Sequence, residues 1–117
     1  MKHEGIALLV RDVGLANALR RCLQDVIEAP SVTLDRMVEL PPSTVILTTT
    51  SDCPPSVCGG LTERGLRIVV LAALPNDAQA KHYERIGAIA YVPMEVSAES
   101  LRHLVSGFLS APREDPL

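Results

Sequence analysis

Ile68-Val69-Val70-Leu71-Ala72 is the stretch on which the fold turns. It is an unbroken apolar run, β-branched over its first three residues, and Pro75-Asn76 follows closely. A strand with one wet face alternates apolar and polar residues; a run without alternation suits a strand covered on both faces. The same reading extends outward. Ile6-Ala7-Leu8-Leu9-Val10 ends at Arg11-Asp12, Thr44-Val45-Ile46-Leu47 continues into Thr48-Thr49-Thr50, and Ile89-Ala90-Tyr91-Val92 precedes Pro93. Val32-Thr33-Leu34 makes a short further candidate, bringing the expected strands to five.

Between these runs the apolar period changes to that of helices. Leu15, Leu19, Cys22, Leu23 and Val26 fall on one stripe, and Glu28-Ala29-Pro30 ends it. Asn76 is placed to cap a helix carrying Ala80, Tyr83 and Ile86, with Gly87 as its left-handed stop. Ser97 caps a last helix whose stripe is Leu101, Leu104, Val105, Phe108 and Leu109. Two segments are poorer. Asp35 to Leu40 allows barely more than one turn before Pro41-Pro42, and Ser51 to Gly65, with its prolines and glycines, reads as a loop with at most a short helix. Strands alternating with helices predict an α/β fold, a flavodoxin-like doubly wound five-stranded parallel sheet with helices on both faces, the second and third helices short or irregular. Residues 1–110 form the domain and 111–117 a polar, Pro-containing tail or linker.

Composition narrows the function. Of 117 residues, 47% are hydrophobic but only Phe108, Tyr83 and Tyr91 are aromatic, so the core is aliphatic. A formal charge of −3, with 11 scattered basic residues, argues against nucleic-acid binding by this chain itself. Arg20-Arg21 reads as a solvated face. Cys22, Cys53 and Cys58 have no metal-ligand spacing; Cys22 suits a buried helix position, and Cys53 and Cys58 suit free thiols on a loop. No basic residue sits beside either loop cysteine to make it a nucleophile. His3, His82 and His103 fall in separate elements. Met1-Lys2-His3-Glu4 leads straight into a strand-length run rather than a secretory leader, and no run reaches the ~18–20 apolar residues of a membrane span, so a cytoplasmic, non-membrane protein is expected.

From Arg67 to Leu109 the chain resembles the second half of response-regulator receiver domains, and the likeness extends over roughly the whole chain. Glu84-Arg85-Ile86-Gly87-Ala88-Ile89-Ala90-Tyr91-Val92-Pro93 carries it: a Gly-Ala pair closes a helix, and Tyr91 falls on the family's aromatic switch position in the next strand. The Ser97-x-x-x-Leu101 helix start fits as well. The resemblance implies a phosphorylation pocket at the strand ends, with an acidic pair for Mg²⁺, an acceptor Asp, a hydroxyl and a Lys. Here the pair falls on Arg11 and Asp12, the acceptor on Thr48, the hydroxyl on Ala72 and the lysine on Met94. Glu95 replaces the proline that commonly follows that lysine. Only Asp12 keeps the family's chemistry, and Thr48 cannot form an acyl phosphate. Mg²⁺ prefers carboxylate and other hard oxygen ligands, which a site pairing Arg11 with Asp12 supplies poorly. Asp52 could be a displaced acceptor if the strand ran on through Thr49, Thr50 and Ser51.

The expectation is therefore a pseudo-receiver that binds no cofactor or metal and acts without phosphorylation. It would serve as an interaction or dimerisation module, as the N-terminal regulatory part of a transcriptional regulator or a standalone adaptor. Its partners would be a second copy, an output domain or a signalling protein. The family's interaction surface falls on Asn76 to Arg85, Ile89 to Val92 and Glu99 to Phe108, making Tyr83, Tyr91, Leu101 and His103 interface candidates; local packing of the two tyrosines remains an equal alternative. A second reading makes the vacated pocket, lined by Asp12, Thr48, Thr49, Ala72 and Met94, a small-molecule sensor, against the favoured alternative that Met94 and Ala72 merely fill the vacated space. No Gly-rich phosphate loop or nucleophile–base spacing is present, so no enzyme is expected.

Overall fold

Strands that are apolar along their whole length need a helical layer on each face, and the chain supplies two. A computed structural model describes residues 5–110. β1 (Ile6–Leu9), β2 (Val45–Thr49), β3 (Arg67–Ala72) and β4 (Ala90–Pro93) form a parallel sheet in the order β1-β2-β3-β4. In register, Leu9 lies opposite Thr48, Thr48 opposite Val70, and Ala72 opposite Pro93.

Alternation along each strand sorts the core into two clusters. Ile6, Leu8, Val45, Leu47, Val69 and Leu71 face α1 (Val13–Leu23) and α4 (Ala98–Ser110), meeting Leu19, Leu23, Leu101 and Val105. Ala7, Leu9, Ile46, Ile68 and Val70 face α2 (Pro55–Glu63) and α3 (Asp77–Arg85), meeting Cys58, Leu61 and Tyr83. Each fully buried Leu, Ile or Val contributes roughly 1.5–3 kcal/mol relative to exposure. Arg67, at the start of β3, donates to the Phe108 carbonyl at 3.1 Å and lies over its ring, holding the end of α4 to the sheet.

The sheet has four strands among the described residues, not the five expected. Val32-Thr33-Leu34 does not form a strand. Only a bridge from Ser31 to Leu8 remains, with Leu8 N–H donating to Pro30 O at 2.8 Å and Val32 N–H to Leu8 O at 2.9 Å. Pro30 has no amide to extend the ladder. Thr33 turns the chain away, its hydroxyl donating to Asp35 and its carbonyl accepting from Arg36 N–H, into the 3-10 helix Leu34–Glu39. The fifth strand's place beside β1 is thus held by one residue.

Ser51 to Gly65 departs from expectation in the other direction, because Pro55–Glu63 is a full helix. Pro55 at its first position has a preset φ and needs no amide partner there. Burial of Cys58 and Leu61 against Ile46 and Ile68 then outweighs the weak propensity of Gly59-Gly60. A Cβ at Gly60, which is exposed, would meet nothing within 4 Å. Gly60→Ala should therefore stabilise the protein by about 0.5–1 kcal/mol. Gly87 has φ 107° and a Cβ there would come within 3.1 Å of Thr62, so Gly87→Ala should destabilise by roughly 1–2 kcal/mol. Urea titration of the pair checks both signs.

The expected caps are present. Asn76 accepts from Gln79 N–H at 2.8 Å and Ser97 from Ser100 N–H at 3.1 Å. The tail at 111–117 and His3 lie outside the described residues. No described helix is long and apolar enough to cross a membrane.

Candidate functional site

The carboxyl ends of parallel strands are where doubly wound folds place their sites. Here these ends carry the five positions expected to form a vacated pocket, and the structure does not gather them into one cleft. Asp12 is the N-cap of α1 and accepts from Leu15 N–H at 3.0 Å. Thr48 is wholly buried, donating its hydroxyl to the Leu9 carbonyl at 2.7 Å. Ala72 is buried as well, and its carbonyl accepts from Met94 N–H at 2.8 Å. Met94 packs on the α1/α4 face beside Leu15, Cys22 and Val96. A ligand cleft lined by Thr48, Thr49 and Ala72 is therefore corrected: these side chains fill the top of the core. Among the described residues no cluster of three or more His, Cys, Asp or Glu could hold a metal.

Arg11 finds a different partner. β2 stops at Thr49, and a turn, rather than a longer strand, brings Asp52 back over the sheet. One Asp52 oxygen accepts from Arg11 N–H and Nε, each at 3.3 Å; the other accepts from the Thr49 hydroxyl at 2.7 Å. Asp52 N–H donates back to Thr49 Oγ1 at 3.1 Å. The carboxylate is only 8% exposed, whereas the Arg11 side chain is 84% exposed. By sequence alone, Asp52 is a candidate only as an acceptor on an extended strand. Its pairing with Arg11, 41 residues away, leaves no local signal.

Arg11 and Asp52 stand at the rim of a cleft of about 570 Å³. Val10, Val32, Leu34 and Val57 supply apolar wall, and Ser31 and Ser51 supply hydroxyls. The cleft opens beside β1, where a full fifth strand would continue. Mixed walls and this volume suit a small molecule.

The interface candidates divide. Tyr83 is fully buried, and its hydroxyl donates to the Cys53 carbonyl at 2.8 Å. Burial pushes its phenol up to about 12, with Cys53 and Cys58 adding to the effect. Leu101 is buried between α4 and the sheet. Neither side chain is available to a partner, which corrects both assignments. Tyr91 is half-buried, its ring 5.8 Å from that of Tyr83; its hydroxyl donates to Gln79 and accepts from Asn76 N–H. His103 is exposed on α4. Cys53 and Cys58 are core residues rather than loop thiols.

No family model and no curated protein matches the sequence. Solved structures do match its fold. A response regulator from Thermotoga maritima superposes with a TM-score of 0.81 at 11% identity, over 94% of this chain and 100% of its own. The signal receiver domain of the putative response regulator NarL from Mycobacterium tuberculosis gives 0.75 at 13%, over 96% of this chain and 100% of its own. HP1043, an orphan response regulator of H. pylori, gives 0.77 at 13%, over 91% of this chain and 96% of its own. With the strand order and the two helical layers, these likenesses establish that the chain has the α/β receiver fold of response regulators.

Proposed function

We propose that this receiver-fold domain signals without phosphoryl transfer, as an interaction module rather than an enzyme. The observation that carries the reading is the hydrogen bonding of the strand ends. Asp52, the acidic residue nearest the end of β2, already accepts from Arg11 and Thr49, while Thr48 is buried with its hydroxyl donated to the Leu9 carbonyl. At the end of β4, Met94 offers no cation to balance phosphoryl charge. The pairing surface would be the exposed side of α3, β4 and α4, with Tyr91 and His103 as contacts and a second copy or an output domain as partner. Such a module fits the regulatory part of a transcriptional regulator or a standalone adaptor, working in the cytoplasm.

Acetyl phosphate or beryllofluoride with Mg²⁺, followed by NMR, tests this directly. The amides of Asp12, Thr48 and Asp52 should not move, and intact mass should not increase. Phosphate on Asp52 would overturn the proposal. Sedimentation over a concentration series tests pairing, and a strict monomer at high micromolar concentration would leave only the output-domain partner. The cleft at Arg11 and Asp52 favours one second reading, a small-molecule sensor. A metabolite that raises the melting temperature and shifts Arg11 and Val57 would support it.

A further inference from the structure

Cys53 and Cys58 are the buried thiols that the proposed role leaves unused. They occupy paired positions at the start of α2. Pro54 is its N-cap, so Cys53 stands just before the cap and Cys58 at the fourth helical position. Those two positions pack against each other in a hydrophobic staple, which sets the angle at which the chain joins a helix. Here both halves of the staple are thiols. Both are wholly buried in the same cluster, around Ile46, Ile68 and Tyr83. Cys53 N–H donates to Thr49 O and Cys58 N–H to Pro54 O, each at 2.9 Å, so the backbone on either side of the pair is held.

The two thiols differ in reactivity. Their mutual hydrogen bond is the main cause that pushes Cys53 up and draws Cys58 down; burial raises Cys53 further and opposes the lowering at Cys58. Cys58 also lies in the first turn of a helix, where the backbone dipole favours a thiolate. Of the two thiols, Cys58 is the better placed to attack as a thiolate. Access to it depends on local opening. α2 has no side-chain cap, no acidic residue in its first turn and two adjacent glycines, each of which weakens the helix against such opening.

We propose that Cys53 and Cys58 form a redox staple, a dithiol that closes to an intrachain disulfide with small disulfides and thereby remodels the wall of the Arg11–Asp52 cleft. Cys58 thiolate attacks one sulfur of glutathione disulfide, forming a mixed disulfide and releasing one glutathione thiolate. Cys53 gives up its proton and attacks the Cys58 sulfur, expelling the second glutathione thiolate. Two protein thiols are oxidised and one small disulfide is reduced to two thiols. The coupling to the cleft is covalent. Pro54 and Val57, which line it, lie between the two sulfurs in the chain, and Asp52 immediately precedes them.

The test is a titration of the folded full chain with glutathione disulfide, quenched by alkylation and read by mass spectrometry. Trypsin releases both cysteines in a single peptide, residues 37–64, bounded by Arg36 and Arg64. Closure removes two hydrogens from that peptide and leaves it unalkylated, without loss of tertiary structure. Cys53→Ser should instead stop at a glutathione adduct on Cys58. Amide resonances of Arg11, Asp52 and Val57 should shift on closure, whereas those of α4 should not. Free thiols or separate adducts at both cysteines while Cys22 is fully modified would overturn the proposal, as would closure only in denaturant. A disulfide without shifts at Arg11, Asp52 and Val57 would overturn the link to the cleft. These results are independent of whether the domain accepts phosphate.

Discussion

Tyr83→Ala should destabilise the fold by about 3–5 kcal/mol, the range for emptying a large aromatic site in a packed core. Tyr83 is fully buried and joins three elements. It projects from α3, packs among Ile68 and Val70 of the sheet, and fastens the β2–α2 connection through its hydrogen bond to the Cys53 carbonyl. Tyr83→Phe keeps the ring and loses only that bond, so about 1 kcal/mol is expected. The two variants also differ at high pH. The native phenol holds its proton up to about 12, against 10 in an unfolded chain, so the folded state binds more protons between those values. This contribution to stability is complete below pH 10 and is lost as pH rises through about 12, a loss of roughly 2–3 kcal/mol. Tyr83→Phe should lack that portion of the alkaline loss. Urea unfolding of the three proteins at neutral pH and at pH 9 to 11.5 measures both effects as shifts in midpoint. An alanine variant as stable as the native chain would mean that Tyr83 is a surface anchor after all.

Thr48→Asp should not install a phosphoryl acceptor; it should destabilise the domain by about 3–5 kcal/mol at neutral pH, the usual cost of an uncompensated buried charge. The Thr48 hydroxyl is a donor aimed at the Leu9 carbonyl from a site without exposure. An ionised aspartate replaces that donor with negative oxygens facing another acceptor. Protonation restores a donor, so the introduced carboxyl has a raised pKa. The variant's stability is then greatest below the ordinary aspartate value, ~3.9, and falls as pH rises through the raised one. Denaturant titrations at pH 7 and pH 5 should show part of the deficit recovered under the more acidic condition. A variant as stable as the native chain that becomes phosphorylated by acetyl phosphate would show that the pocket lacks only its aspartate.

Both expectations rest on which way a side chain points, and this is where the sequence stops. Periodicity, caps and turn residues act between neighbours a few positions apart. The unbroken apolar strands, Asn76, Gly87 and Ser97 therefore made the parallel α/β fold and most helix boundaries legible. So did the Gly-Ala turn before Tyr91, which carried the resemblance to receivers. Where local propensity is weak, tertiary contacts decided the outcome. Pro55–Glu63 is helical because Cys58 and Leu61 are buried, while Val32-Thr33-Leu34 fails as a strand once Pro30 and Thr33 interrupt its pairing with β1.

The chain alone determined which residues stand at the ends of its apolar strands: Arg11, Asp12, Thr48, Ala72 and Met94. Only the tertiary structure decided what Thr48 and Arg11 do: Thr48 closes the core, and Arg11 holds Asp52. It likewise placed Tyr83, Leu101, Cys53 and Cys58 inside. Burial and pairing of this kind link residues 30 to 41 positions apart, as Tyr83 to Cys53 and Arg11 to Asp52. Short-range sequence patterns act over a few residues and cannot specify such contacts until the elements are packed.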